Sequence, residues 1–434
     1  GGILIEYDRG LRKAVETTNN FLNDLFDITL YEATLQTHNI QIRADLLNKI
    51  KNDIHVVEVK SSTGIKEIYL VDSAIQYSVM AGAGFAPAKI SLAHINNKFV
   101  YLGDSNYNDL FKVVDLTSEV SERAEQVPEW IEAANKTIAG DLPRIEVGEH
   151  CTKPYSCPFI KHCWKDIPVI EYPITKFPGL KRSKVTELIK LGYEDIRDIP
   201  DGLLGDDTLQ TRLNACRTGK RLIPDELRNK LAQLEFPRYY LDFETIGFAV
   251  PKWSGTRPYE QLPFQWSCHI EAKSMAVSHT GFLDTSGNPP MQSFSEALVN
   301  ALGDSGPVIV YSTFEKTVLR NLQERYPEYR ESLQRIIDRL FDLFQPIKTH
   351  YFHRDLQGSY SIKNVLPTVV PDLKYSDLLD VQDGMMAQQA YLEIINVKTT
   401  KERKISLTNS LSEYCEMDTL AMVRLIQNLS KKNE

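Results

Sequence analysis

The segment Tyr239-Tyr240-Leu241-Asp242-Phe243-Glu244-Thr245 constrains the fold more than any other. Its aromatic and apolar residues read as a strand from Arg238 to Thr245. Strand side chains alternate between faces, so Asp242 and Glu244 share one face while Leu241, Phe243 and Thr245 take the other. Two carboxylates on one face of an apolar strand are costly to bury unless cations compensate them. A divalent metal is one such cation.

After this strand the pattern alternates. A strand is expected at Gln265–His269, a helix near Ser293–Leu302, a strand at Val308–Tyr311, and helices from Glu315 onward. Ser410-Leu411-Ser412-Glu413 has the form of a capping box and predicts the start of a final helix running to Leu429. Tyr414 and Asp418 then stand at i and i+4 on one face of it.

Leu-Asp-Phe-Glu-Thr at 241–245, followed far downstream by Tyr-x-x-x-Asp at 414–418, resembles the DEDD exonuclease superfamily in its tyrosine-bearing (DEDDy) branch. The resemblance implies an RNase H-like domain over 237–434 and a 3′–5′ exonuclease site with two Mg²⁺ or Mn²⁺ ions roughly 3.5–4 Å apart. One ion would activate water and the other would stabilise the leaving oxygen. Asp242, Glu244, Glu315 and Asp418 would be the ligands, Asp242 bridging, with Tyr414 orienting the water. Glu315 stands where the family has aspartate, and Asp342 is a spare acid if Glu315 is not a ligand. Arg257-Pro258-Tyr259 and Pro263-Phe264-Gln265-Trp266 offer a guanidinium and aromatic faces to a single strand. Gly358-Ser359-Tyr360-Ser361-Ile362-Lys363 offers Lys363 and hydroxyls to phosphates.

Residues 1–165 carry a second acidic strand. Strands are expected at Phe26–Gln36, Gln41–Asn48, Asp53–Lys60, Lys89–Ala93 and Lys98–Leu102, with helices at Ile68–Ala83 and Leu116–Ile138. On Asp53–Lys60, Glu58 and Lys60 share a face opposite Val57 and Val59. Asp45 followed by Glu58-x-Lys60 resembles the PD-(D/E)XK nuclease motif. By that resemblance Asp45 and Glu58 hold Mg²⁺ or Mn²⁺, and Lys60 stabilises the nucleophile or the developing phosphorane charge. Asp72 and Gln76 lie on one face of the next helix. Gln76 matches the glutamine of the RecB-like branch, Tyr77 is a looser match, and Glu32 is a further candidate acid.

Cys151, Cys157 and Cys163 follow this segment. Three late cysteines resemble those of RecB-like nucleases that hold an iron–sulfur cluster. That family's fourth cysteine precedes the catalytic core, and none precedes Cys151 here. The fourth ligand of a 4Fe–4S cluster would then lie before Gly1. For a structural zinc site it would be His150 or His162.

Residues 166–236 read as a small helical linker, punctuated by Pro168, Pro173 and Pro178 and containing a helix at Ser183–Leu191. Phe177-Pro178-Gly179-Leu180 with Lys184, Leu188 and Gly192 resembles a helix-hairpin-helix, which binds phosphates through backbone N–H groups. The overall expectation is α/β: a PD-(D/E)XK restriction-endonuclease-like domain, the linker, and an RNase H-like DEDDy domain.

The formal net charge of −8 argues against a globally basic nucleic-acid binder. Carboxylates awaiting metal ions contribute to that total. Six cysteines do not make a disulfide scaffold, and no signal peptide or apolar run of roughly 18 residues appears. The chain is expected to be cytoplasmic. Its expected activity is metal-dependent hydrolysis of DNA, single strands or 3′ ends foremost, at two sites. A helicase is a compatible protein partner. Two alternatives stay open: a nucleic-acid-binding scaffold with inactive sites, and an RNA-directed exonuclease.

Overall fold

The computed structural model describes residues 1–8, 10–378 and 380–431, and for Asp377 the backbone alone. They form two compact units, one of residues 1–167 and 248–260, the other of 168–247 and 261–434. The stretch 248–260, which the sequence division leaves in its third segment, thus belongs to the first unit. Both units are mixed α/β.

In the first unit β1 (Ile3–Leu4) and α1 (Leu11–Asp24) precede an antiparallel meander of β2 (Asp27–Thr37), β3 (Ile40–Ile50) and β4 (Asp53–Lys60). Two-residue turns join the meander, with His38 at φ 50° and Lys51 at φ 55°. Tight hairpins demand positive φ of this kind. Helix α2 (Glu67–Gly82) then crosses to β5 (Lys89–Ile95), parallel to β4, and β6 (Phe111–Asp115) closes the sheet in the order β1-β2-β3-β4-β5-β6. Leu30, Leu47, Val56, Met80, Ile90 and Leu92 fill the core between sheet and helices.

Two expectations fail in this unit. Lys98–Leu102 is no strand; Tyr101 alone makes an isolated bridge, to Thr256. The Asn96 side chain accepts from the Lys98 N–H and its carbonyl from the Phe99 N–H, which turns the chain where a ladder would need extended backbone. Leu116–Ile138 is two helices, α3 (Thr117–Ala124) and α4 (Val127–Ala139). Pro128, lacking an N–H, fits the first turn of a new helix and not the interior of a longer one. The short α5 (Ile160–Cys163) follows.

The second unit opens with α6 (Arg182–Lys190), α7 (Asp207–Thr218) and α8 (Asp225–Ala232). Ile174, Leu188, Ile196 and Leu213 of this region share a core with Phe352. The sheet comprises β7 (Arg238–Ile246), β8 (Leu262–Glu271), β9 (Val277–Leu283), β10 (Val308–Val310) and β11 (Leu340–Asp342) in the order β11-β10-β7-β8-β9. β7, β8 and β9 run antiparallel in turn, while β10 is parallel to β7 and to β11. The acid-bearing β7 is therefore central. Helices α9 (Met291–Ala301), α10 (Phe314–Arg325), α11 (Arg330–Asp338), α12 (Phe344–His350), α13 (Ile362–Val369) and α14 (Gly384–Ile395) complete the unit with α15 (Lys401–Leu429).

The last helix begins at Lys401, not at Ser410. Thr400 is its N-cap, its hydroxyl accepting from the Arg403 N–H at 3.3 Å. Ser412, inside the expected capping box, donates instead to the Thr408 carbonyl one turn back, as a mid-helix hydroxyl does. Leu407, Leu411, Tyr414, Asp418, Met422, Leu425 and Leu429 form its buried stripe.

Candidate functional site

Asp242 and Glu244 leave the same face of β7, and the buried stripe of α15 delivers Asp418 to them. One oxygen from each lies within 4.8 Å of the others, the one trio of acidic, histidine or cysteine donors so gathered among the described residues. Burial pushes Glu244 up to about 8, with the charge of Asp418 adding and that of Lys363 opposing. Burial also lifts Asp418 to about 6, against hydrogen bonds from Tyr375 and Tyr414 and the charge of Lys363. Asp242 is held well above the carboxylate range by burial and by the charges of Asp418, Glu244 and Glu315. Its Oδ2 has a thiol contact, to Cys415 Sγ at 3.5 Å.

Burial is the larger cause, and the neighbouring acids add to it at Asp242 and Glu244. Glu271, fully buried in the same sheet, accepts from Tyr240 Oη at 2.6 Å and Gln427 Nε2 at 2.7 Å and faces Arg238 at 3.5 Å. The trio is instead three acids converging on one point. Clustered, desolvated carboxylates with raised pKa values are the electrostatic signature of a cation site or an acid–base site.

Glu315 stands apart from the trio. It is buried at the start of α10, with Ser312 Oγ donating to it at 3.4 Å. Burial raises it to about 7; hydrogen bonds from its own backbone and Ser312 oppose this, and the charges of Asp342 and Asp418 add. Its charge reaches the trio, but its oxygens are not gathered into it. Asp342 is taken up by the chain, accepting from the Phe344 N–H at 2.9 Å.

Tyr414 is buried beside the trio, and Lys363 Nζ donates to its hydroxyl at 3.3 Å. Two groups in this site went unnoticed in the sequence. Tyr375 donates to Asp418 Oδ1 at 2.5 Å, and Cys415 touches Asp242. Cys415 was legible as a neighbour of Tyr414 on the helix; Tyr375 lies in a short irregular segment with no motif around it. Phe264 and Trp266 are buried, Phe264 stacking on Tyr391, so they offer no faces to a strand.

The first unit brings Asp45, Glu58, Lys60 and Gln76 together on β3, β4 and α2. Asp45 lies in the middle of β3, and its Oδ2 accepts from the Val59 N–H at 2.7 Å. Lys60 Nζ donates to Glu58 Oε1 at 2.6 Å and to Asp72 Oδ2 at 2.8 Å, while Gln76 Nε2 donates to Glu58 Oε2 at 2.7 Å. Burial raises Glu58, and the bonds from Lys60 and Gln76 oppose that. Burial would lower Lys60, but its bonds to Asp72 and Glu58 outweigh burial and raise it. The Gln76 Oε1 is buried without a hydrogen-bond partner among the described residues. Glu32 pairs with Arg43 at 3.1 Å, and Tyr77 packs against the core. Asp72 is a member of this cluster that the sequence reading left out of the site.

Cys151 is buried, Cys157 half-buried and Cys163 exposed, and all three are free thiols. Their sulfurs, with or without His150 and His162, do not converge into a donor set among the described residues. No helix of the described residues is long and apolar enough to cross a membrane.

A family model described as a domain of unknown function, DUF2779, matches residues 239–361. That span takes in Asp242, Glu244 and Glu315 and ends before Tyr414 and Asp418. The chain is similar to "Uncharacterized protein MG366" of Mycoplasma genitalium, 28% identical over 235 residues, covering 49% of this chain and 35% of that protein. It is also similar to "Uncharacterized protein UU173" of Ureaplasma parvum, 26% identical over 304 residues, covering 60% of this chain and 42% of that protein. The chain thus spans less than half the length of these curated relatives. No solved structure matches.

Proposed function

We propose that the chain is a metal-dependent nuclease, with a 3′–5′ exonuclease site at Asp242, Glu244 and Asp418 in the second unit. The observation that carries this reading is the convergence of those three carboxylates within 4.8 Å beside a buried tyrosine. The sheet order supports it: an antiparallel β7-β8-β9 meander with β10 and β11 added in parallel beyond β7 is the arrangement expected of an RNase H-like domain. Hard oxygen donors in this number suit Mg²⁺ or Mn²⁺. Bound there, a divalent ion would supply charge neutralisation and a more acidic water for hydrolysis of a phosphodiester. Tyr414, held through its hydroxyl by Lys363, would orient the attacking water, and the Lys363 ammonium would face the phosphate.

The first unit supports a second, PD-(D/E)XK-like site. A helix, a three-strand meander, a crossover helix and a parallel strand carry Asp45, Glu58, Lys60 and Gln76 to one place. We take DNA as the substrate of both sites.

The test uses 3′- and 5′-labelled DNA and RNA single strands with Mn²⁺, comparing wild type, Asp242→Ala, Lys60→Ala and the double variant. Stepwise loss from the 3′ end that disappears in Asp242→Ala, with residual cutting removed only in the double variant, supports the reading. Absence of cleavage by the wild type on every substrate would sink it in favour of a binding scaffold.

A further inference from the structure

Among the described residues, Asp418 is the one member of the trio whose carboxylate is pinned by a strong hydroxyl donor. Tyr375 Oη donates to its Oδ1 at 2.5 Å, in the range of a charge-assisted O–H···O⁻ bond. Tyr375 is itself braced. Lys363 Nζ lies 5.2 Å from the centre of its ring and 5.0 Å from that of Tyr414. The same ammonium donates to the Tyr414 hydroxyl at 3.3 Å and to the Gln382 carbonyl. One lysine on the first turn of α13 thus fixes two rings from two other segments, and one of those rings fixes Asp418.

We infer that Tyr375 makes Asp418 a one-oxygen donor and thereby biases the acid trio toward small octahedral cations, Mg²⁺ and Mn²⁺, against Ca²⁺. The inference rests on reading the trio as a metal site. With Oδ1 accepting from the phenol, chelation of an ion by both Asp418 oxygens is disfavoured and Oδ2 is the freer donor. Mg²⁺ and Mn²⁺ take six ligands in near-octahedral geometry, for which single-oxygen carboxylates are suited. Ca²⁺ takes six to eight oxygens at longer distances and gains from bidentate carboxylates. A phenol bonded to one oxygen reduces that gain while holding the other oxygen in place for the smaller ion. Tyr375 is therefore a positioning and selectivity residue, acting through Asp418.

Calorimetric titration of the full chain with Mn²⁺ and, separately, Ca²⁺ tests this in wild type, Tyr375→Phe and Asp242→Ala. Thermal melting without metal checks that each variant folds. Partners of metal ligands are typically worth about 10–100-fold in affinity. The expected result is Mn²⁺ binding weakened about tenfold in Tyr375→Phe, with Ca²⁺ binding unchanged or tighter, so that the Mn²⁺/Ca²⁺ ratio falls by at least about tenfold. An unchanged ratio in Tyr375→Phe overturns the selectivity role while leaving the metal site standing. Wild-type binding no tighter than that of Asp242→Ala overturns the metal reading, and this inference with it. A merely structural tyrosine would lower the melting temperature and leave the ratio where it is.

Discussion

The two acidic strands of this protein meet the same physical problem and answer it differently. On β4, Glu58 is buried but has its own cation: Lys60 and Gln76 occupy its two oxygens, and Asp72 balances the lysine in turn. On β7, Asp242 and Glu244 meet a third acid, Asp418, and the lysine in the neighbourhood spends its hydrogen bonds on a tyrosine hydroxyl and a carbonyl. The first cluster is closed within the chain. The second is left short of positive charge, with Glu244 lifted to about 8 and Asp418 to about 6. Buried charges are tolerated when paired; the chain supplies that pairing to Glu58 on β4 and leaves the acids of β7 without an equivalent partner among the described residues.

The largest break in the comparison is expected from Asp242→Asn. A bound ion is worth several kcal/mol to a phosphoryl-type transition state, and about 4 kcal/mol corresponds to about a thousandfold in rate. Exonuclease rate with Mn²⁺ should fall by that order. In the absence of metal, melting should depend less steeply on pH than in wild type, because a buried acid with a raised pKa has been removed from the cluster. A rate within tenfold of wild type would remove the trio from the chemistry.

In the first unit the sign reverses. Lys60→Met leaves Glu58 buried without its cation, and breaking such a pair costs about 3 kcal/mol when both partners are fully enclosed. Lys60 keeps 22% of its side chain exposed, which lowers the expectation to about 2 kcal/mol. The Glu58→Gln, Lys60→Met double variant should recover most of that loss. Urea denaturation midpoints would show it; a double variant no better than the single one would mean the pair is not what holds Glu58 in place.

Proton linkage separates the two regions further. Carboxylates with folded pKa values raised to about 6, 7 and 8 at Asp418, Glu315 and Glu244 bind more protons in the folded than in the unfolded chain, where they titrate near 4. Their contribution is fully present below that unfolded value and is lost as pH rises through 6 to 8. The metal-free protein should therefore melt at progressively lower temperature from pH 5 to pH 8, by about 5 °C or more. Saturating Mn²⁺ should flatten or reverse the slope, since metal binding competes with protons at the same oxygens. A metal-free melting temperature that rises across this window would contradict the charge-deficient picture.

How much of this was legible depended on whether a local pattern carried it. The alternation along 239–245 sufficed to put Asp242 and Glu244 on one face, and the helix period to align Tyr414 with Asp418, because both periods are fixed by backbone geometry; that the helix would meet the strand was implied by the family resemblance. The helix start was misread: Ser410–Glu413 has the letters of a capping box, but tertiary burial of Leu407 and Leu411 carries the helix on past it to Thr400. The edge strand β9, Val277–Leu283, was not anticipated; its mixture of polar residues and a glycine has no clear period. Nor were Asp72 and Tyr375 assigned to their sites. Each is brought to its partner by packing between distant segments, 12 residues for Lys60–Asp72 and 43 for Tyr375–Asp418, for which no spacing rule exists.

The smallest expected effect sharpens the comparison most, because it concerns the residue between the two behaviours. Glu315 is buried like the trio and its pKa is raised to about 7, yet its oxygens are not gathered with theirs, and Ser312 gives it a long hydrogen bond. Near neutral pH it is therefore close to half protonated, and glutamine imitates the neutral form in size and shape. Glu315→Gln should cost no more than about tenfold in exonuclease rate, the lower end of what a partner outside the immediate ligand set contributes. Its effect should grow as pH rises above 7, where the wild-type side chain becomes anionic and the variant cannot. A loss as deep as that of Asp242→Asn at every pH would instead place Glu315 among the ligands. The site would then be a four-acid centre whose longer side chain closes on the ion only when it is bound.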